Sequence, residues 1–568
     1  MPRLSKKLLI APAAFGFVCA AHILSTNYSF SAFTKEMFQN EISSSTISLH
    51  YTLENPESMG ISDYSVTLGT AAPETLEASA AAVENYRSRL DDFSYRALTG
   101  ENRLTYDILD FYLETQDALN EYPLYAEPLG ATIGTQAQLP VLLAEYAFYE
   151  PEDTVEYLKL LQQMDVYYDS ILAYEKAKSE AGLFMSDANA DSIITQCQAF
   201  IANPEENFLI ATFEEKVDAM DSLTDADRTA LKEKNREIIR EHVIPAYENL
   251  IMGLQRLKGT GVNENGLCYY PEGEEYYTWL VRQSTGCAVS PATVQERIQD
   301  QLLADYDSLR ALAAENPDIL DSLGEETGGS LDPAAMLTSL QTRMTEDFPA
   351  APSVSCQVKY VHESLEDYLS PAFYLTPPLD DLTENVIYIN RASDYTWLEL
   401  YTTLAHEGYP GHLYQTVYSG SCDPSPVRSL LDFGGYTEGW ATYVEMLSWD
   451  YTGLESEVAQ LYRLNRSISL GFSALADIAV HYKGYTREDI IDYLDTFGYS
   501  AGSASALFDM VVEAPANYLQ YYVGYLCFLD LRKEAAAQAG DGFSLMEFHR
   551  KILETGPAPF PVLADYVL

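Results

Sequence analysis

The segment Leu404-Ala-His-Glu-Gly-Tyr-Pro-Gly-His-Leu-Tyr-Gln415 sets two imidazoles and a carboxylate, those of His406, His412 and Glu407, close together in the chain. A His-Glu pair on a helix with a second histidine further on is the arrangement by which zinc peptidases hold their metal through neutral imidazoles and keep a carboxylate beside the attacking water. The spacing is not the ordinary one. Histidines four residues apart on a straight helix differ by about 40° in direction, whereas six residues apart they differ by about 120°. His406 and His412 can therefore share a metal only if the helix is interrupted between them. Pro410-Gly411 supplies that interruption: proline removes a main-chain donor and clashes with the preceding turn, and glycine tolerates the dihedrals that follow. The expectation is a bulged helix that returns His412 to the face of His406. The alternative is a capped structural helix in which the His-Glu pair is accidental.

Downstream, Gly434-Gly-Tyr-Thr-Glu438-Gly-Trp-Ala-Thr-Tyr-Val-Glu445 begins with glycines and continues as a good helix, with Glu438 and Glu445 seven residues apart and so on one face. Zinc sites with two histidines and a glutamate take the third ligand from a second helix and leave one position open, and Glu438 fits that place. Glu445 is then either a carboxylate orienting an imidazole or an exposed helix charge. Upstream, Val354–Val361 and Asn385–Asn390 favour strand, separated by a Pro- and Asp-rich loop at Leu375–Asp381. Asn385–Asn390 directly precedes the motif helix, where an edge strand would pair with an extended substrate or merely close a small sheet.

From about Pro73 to Leu257 the chain reads as successive amphipathic helices, among them Leu76–Leu90 and Ala226–Leu257. Gly259–Tyr277 has few helix formers and reads as a loop or short hairpin, the single candidate boundary; Ser290-Pro291 starts a further helix that runs to about Ala314. The fold is thus expected to be mainly α, with residues 28–258 as an N-terminal helical lobe and 259–568 as the lobe carrying the motif.

The 568 residues are 47% hydrophobic, which suits a large core and excludes wholesale disorder. Asp and Glu number 85 against 34 Lys and Arg, spread along the chain. Such a surface repels phosphate backbones and anionic lipid, so nucleic acid is excluded as the main partner; it suits solubility outside the cell, a monomer, or the attraction of cationic peptides. Arg3, Lys6 and Lys7 precede an apolar stretch ending in small residues near Cys19-Ala20-Ala21, the layout of a secretory signal. Residues 1–27 are expected to be a signal peptide or a retained N-terminal anchor, with the remainder secreted or attached to the cell envelope and no later membrane span. The other cysteines, Cys197, Cys268, Cys287, Cys356, Cys422 and Cys527, contain no CxxC pair. Buried free thiols are the default, and Cys268 with Cys287 could close a loop in an oxidising compartment.

The strings HEGYPGHLYQ and EGWATYVE resemble the bacterial family called domain of unknown function 885, of the thermolysin-like, gluzincin-type clan of zinc metallopeptidases. Leu49–Pro56, Tyr270–Tyr276, Pro371–Tyr374, and Phe548-His549 with Gly556 echo other segments of that family. The resemblance implies zinc held by His406, His412 and Glu438, with Glu407 as general base. It also marks Tyr521, before Gly524, as a donor to the oxyanion, and His481 as a residue touching substrate or transition state; packing and a satisfied core histidine are the bland readings of these two. Leu413 stands where relatives often have a second histidine, Ala516-Asn517 where they commonly have Gly-Gln, and Tyr522 where they have a basic residue. Related helical zinc peptidases imply a deep cleft between two lobes that admits short peptides, for which Arg391, Arg463 and Arg466 are candidate carboxylate anchors. The rival readings are a zinc hydrolase of non-peptide amides or esters and a metal-free binding protein of the cell surface.

Overall fold

Amphipathic spacing becomes helix along nearly the whole chain. The structure, a computed structural model, describes residues 7–131, 133–324, 329, 331–361, 363, 366 and 370–568, without the side chains of residues 7–18. Arg3 and Lys6 of the expected leader lie outside the described residues; Lys7 opens helix α1 (Lys7–Ile42), whose later turns bury Phe30, Phe33, Met37 and Phe38. Among the described residues no helix is long and apolar enough to cross a membrane. The expected helices at 76–90 and 226–257 form as Leu76–Asp91 and as Asp225–Ile238 followed by Ile244–Leu257. A wide π turn at Ile239–Val243 joins the latter two, where Pro245 cannot donate to the preceding turn.

Gly259–Tyr277 is not a hairpin. Its second half winds into a short 3-10 turn at Leu267–Tyr269 and then helix α2 (Gly273–Thr285). Helix α3 (Pro291–Glu315) starts as expected, Ser290 accepting the Thr293 N–H.

The sheet has three strands, β1 (Ser355–Tyr360), β2 (Ala372–Leu375) and β3 (Glu384–Ile389), in the order β1-β3-β2. β1 runs parallel to β3 with Ser355 opposite Glu384, and β2 antiparallel with Ala372 opposite Ile389. The second predicted strand is therefore central, and the edge beside the motif helix belongs to β2, which is too short and too close to Pro371 to stand out in the sequence. Alternation splits β3 between two hydrophobic cores: Ile387 and Ile389 face the larger one, Val386 and Tyr388 the smaller. The smaller core gathers helices between Leu139 and Leu254, with Leu68 joining it; the larger holds most of the buried residues from Phe30 to Leu113 together with most of the chain after Leu267.

After the sheet come α4 (Trp397–Glu407), α5 (His412–Ser421), α6 (Gly434–Ser448), α7 (Ser456–His481) and α8 (Asn517–Ala539). A capping box of Thr396 and Glu399 starts α4. Free thiols, the default reading, are what the structure has, and the alternative pairing of Cys268 with Cys287 is not formed. Both are free; Cys268 Sγ lies against the Val480 carbonyl, and Cys287 lies against Cys527. Closeness in sequence was a poor guide because α2 carries the chain away between them.

Candidate functional site

The motif helix does not bulge; it stops. α4 ends at Glu407, Gly408 leaves helical dihedrals (φ −111°, ψ −97°), and a cis Tyr409-Pro410 peptide and Gly411 (φ −81°, ψ −136°) precede the fresh start of α5 at His412. The break begins two residues before the proline. Gly411 is required by close approach: a Cβ there would sit 1.7 Å from the His406 carbonyl oxygen. The Trp440 indole N–H donates to the Pro410 carbonyl at 3.0 Å and so ties the break to α6, two residues from Glu438.

The result is convergence. Nε2 of His406 and Nε2 of His412 each lie 3.4 Å from Glu438 Oε2, and one donor atom from each residue lies within 4.8 Å of the others. A tetrahedral ion bound by nitrogen and oxygen at about 2.0–2.1 Å keeps its ligand atoms about 3.4 Å apart, so these three residues could hold one. Glu445 accepts from His406 Nδ1 at 3.2 Å and is itself held by Arg466 Nε at 2.7 Å. It is buried, so the exposed-charge reading of Glu445 falls and the orienting one stands.

Charge at the centre is tightly balanced. Burial opposes a charged His406, but hydrogen bonds to Glu438 and Glu445 and the charge of Glu407 outweigh it and raise its pKa to about 10. Burial likewise opposes ionisation of Glu445, yet Arg466 and His406 bring it down to about 2. Against the same burial, the two imidazoles hold Glu438 well below the ordinary carboxylate range. The proton on His406 is held by carboxylates, and a cation bound at the same atoms would displace it.

Glu407 faces the cavity beside His406, and its Oε2 accepts the main-chain N–H of Tyr374 on β2 at 2.9 Å. Tyr521 enters from α8, its ring centroid 6.4 Å from that of His406. α6 and α8 approach each other closely because glycine meets glycine: a Cβ on Gly439 would lie 2.5 Å from Gly524 Cα, and one on Gly524 would lie 2.1 Å from the Gly435 carbonyl oxygen. Burial, then the charges of Glu438 and Glu407, raise the Tyr521 pKa, so its hydroxyl stays a donor. The cavity measures about 810 Å³ and is lined by His406, Glu407, Glu445, Arg466 and Tyr521, with Ala372 at the start of β2. Of the candidate anchors only Arg466 lines it; Arg391 stacks on the Tyr360 ring at 3.9 Å and Arg463 pairs with Asp450.

His481 is not at this site. Its Nδ1 accepts the Leu267 N–H at 3.1 Å, its Nε2 meets the Val511 carbonyl at 2.7 Å, and burial lowers its pKa to about 4. Both nitrogens are spent on main chain, so His481 is a satisfied core histidine. One turn earlier on α7, Asp477 accepts the Ala516 N–H and the Tyr277 hydroxyl. Ala516 takes a left-handed conformation (φ 63°) at the start of α8, a backbone state that glycine adopts without strain. Asp477 thus anchors the helix that bears Tyr521.

Burial raises the Asp477 pKa to about 7. A carboxyl whose folded pKa is raised binds a proton in the folded protein that the unfolded chain releases near pH 4. Its stabilising contribution is full below that pH and is lost as the pH rises to about 7. Asp477→Asn keeps an acceptor for Ala516 and removes the titration. The stability of wild type relative to the variant is expected to fall by a few kcal/mol between pH 4 and 7, at about 1.4 kcal/mol per pH unit. Urea midpoints at the two pH values check this, and parallel pH profiles would refute it.

Sequence reasoning missed Tyr374, Trp440 and the Gly439–Gly524 crossing. A main-chain donor carries no side-chain signature, and the glycines become meaningful only once the helices are paired. The tryptophan stands inside the quoted motif, where its N–H was the available signal.

No curated protein matches the sequence. The fold is similar to two solved structures: one of a candidate lipoprotein from Colwellia psychrerythraea, 20% identical, TM-score 0.85, covering 95% of this chain and 98% of that one, and one of a candidate lipoprotein of unknown function from Shewanella oneidensis, 19% identical, TM-score 0.65, covering 94% and 98%. The sequence profile of the bacterial proteins of unknown function called DUF885 matches residues 54–567, and the chain belongs to that family.

Proposed function

We propose that the protein is a zinc-dependent peptidase of short peptides. The observation that carries this reading is the meeting of His406, His412 and Glu438 at ligand spacing beside the Glu407 carboxylate. Zinc held by those three residues would supply Lewis acidity that polarises a scissile carbonyl and acidifies water. Glu407 takes the proton of the attacking water and returns it to the leaving amine; the Tyr374 N–H fixes one of its oxygens and leaves the other for the transfer. Glu445, braced by Arg466, keeps His406 in the tautomer that presents Nε2. The Tyr521 hydroxyl donates to the oxyanion.

Substrate binding follows from the walls. β2 is an edge strand and, apart from the Tyr374 N–H that Glu407 takes, suits main-chain pairing with an extended peptide, which tolerates many sequences. Among the described residues Arg466 is the single lysine or arginine lining the cavity, and it suits a substrate carboxylate. A cavity of this size accepts a short peptide and not a folded chain. The description of the two similar structures as lipoproteins supports placing this chain at the cell envelope as well, and the acidic surface supports a monomer.

Metal analysis of the purified protein, together with product mapping on a mixed peptide library with and without chelator, tests the proposal. About one zinc per chain and chelator-sensitive cleavage are expected. Absence of zinc would favour the metal-free binder; zinc with turnover only of non-peptide amides or esters would favour the other hydrolase.

A further inference from the structure

Cys287 and Cys527 stand 240 residues apart in the chain, and their sulfurs are 3.4 Å apart. Cys287 sits in the turn between α2 and α3, directly after Gly286 in the left-handed conformation (φ 67°); Cys527 lies on α8, two turns beyond Tyr521. Among the described residues no other two sulfurs are in contact. Both cysteines open onto an apolar cavity of about 370 Å³, lined also by Val294, Leu531 and Phe560, with Arg297 at its side.

We propose that Cys287 and Cys527 are a redox pair, closing to a disulfide that ties the α2–α3 turn to the helix bearing Tyr521. The bond length of a disulfide is about 2.0 Å, so the sulfurs need to approach by little more than 1 Å. The turn, carrying Cys287 outside regular structure, is the partner that moves. Either sulfur can donate in the contact they share; with Cys527 donating, Cys287 is held below the usual thiol range and Cys527 is raised, and Cys287 is then the thiolate that begins the exchange.

The oxidant is a small-molecule disulfide or the disulfide of a thiol-exchange protein. Cys287 thiolate attacks one of its sulfurs, forming a mixed disulfide and releasing one thiolate. Cys527 gives up its proton and attacks Cys287 Sγ; the protein disulfide forms and the second thiolate leaves. Two protein thiols are oxidised, the oxidant is reduced to two thiols, and the two protons pass to the leaving thiolates. The apolar cavity beside both sulfurs gives the mixed disulfide room. Closing so long a loop removes conformational freedom from the unfolded chain, so the oxidised form resists unfolding better.

The pairing is independent of the peptidase reading and is tested on the intact chain. The protein is incubated with oxidised glutathione, or with dithiothreitol as the reduced control, then alkylated, digested and mapped by mass spectrometry. A crosslinked peptide joining Cys287 to Cys527 is expected, with a melting temperature several degrees higher that dithiothreitol reverses. In Cys527→Ser both changes are expected to vanish. The proposal is overturned if both cysteines of the folded wild type stay open to alkylation after oxidation, if either pairs with a different cysteine, or if a glutathione adduct persists unresolved. The wild-type map decides the matter even where the variant fails to fold.

Discussion

Glu407→Gln is expected to keep about one zinc per chain and to lose about a thousandfold in kcat. The two side chains are nearly isosteric, and a glutamine carbonyl can still accept the Tyr374 N–H that Glu407 accepts at 2.9 Å. Position is retained, and what disappears is the ability to take a proton from water and hand it to the amine. Proton transfer of this kind accounts for about 10² to 10⁴ in rate, or roughly 4 kcal/mol of barrier at a thousandfold. Equal zinc content with undiminished turnover would show that another group carries the proton. Loss of zinc together with activity would show instead that Glu407 belongs to the ligand set.

The second large effect is expected from His412→Ala, which removes one of three donors and leaves His406 and Glu438 without the partner that completes the triangle. Zinc content should fall from about one per chain to near zero, with turnover lost alongside. Binding energy contributes to stability only in the folded state. The melting temperature of the variant should therefore match that of chelated wild type and lie below that of zinc-loaded wild type. Far-ultraviolet circular dichroism should be unchanged, because the two helix ends at the break are held by Trp440 and by their own packing. A variant that retains a full equivalent of zinc would end the assignment of this histidine.

Both effects rest on how the break between α4 and α5 is made. A straight helix would point the two imidazoles apart, and a proline alone would kink the chain without saying where it goes. The direction comes from Gly411 pressed against the His406 carbonyl and from the Trp440 hydrogen bond to Pro410, which couples the break to α6. The glycine crossing of α6 and α8 then sets how near Tyr521 comes to His406 and Glu438. His406 and Glu407, His412, Glu438 and Tyr521 are thus brought together on one frame of four helices, α4, α5, α6 and α8.

The sequence by itself determined the helical class, the two short strands expected at Val354–Val361 and Asn385–Asn390 and found at Ser355–Tyr360 and Glu384–Ile389, the need for a break between His406 and His412, and the meeting of that motif with Glu438. Those features are local: apolar periodicity, β-branched runs, the dihedral limits of proline and glycine, and helical spacing all act within a few residues. Tertiary structure alone decided which strand is the edge, that Glu445 orients His406 while Arg466 braces it, and that His481 is spent on main chain. It also decided that Cys287 meets Cys527 and not Cys268. Each of these depends on contacts between segments far apart in the chain, and the side chains carry the same identities whichever partner they find. What selects the partner is the close packing of glycine-lined helices and two hydrophobic cores, which no window of sequence contains.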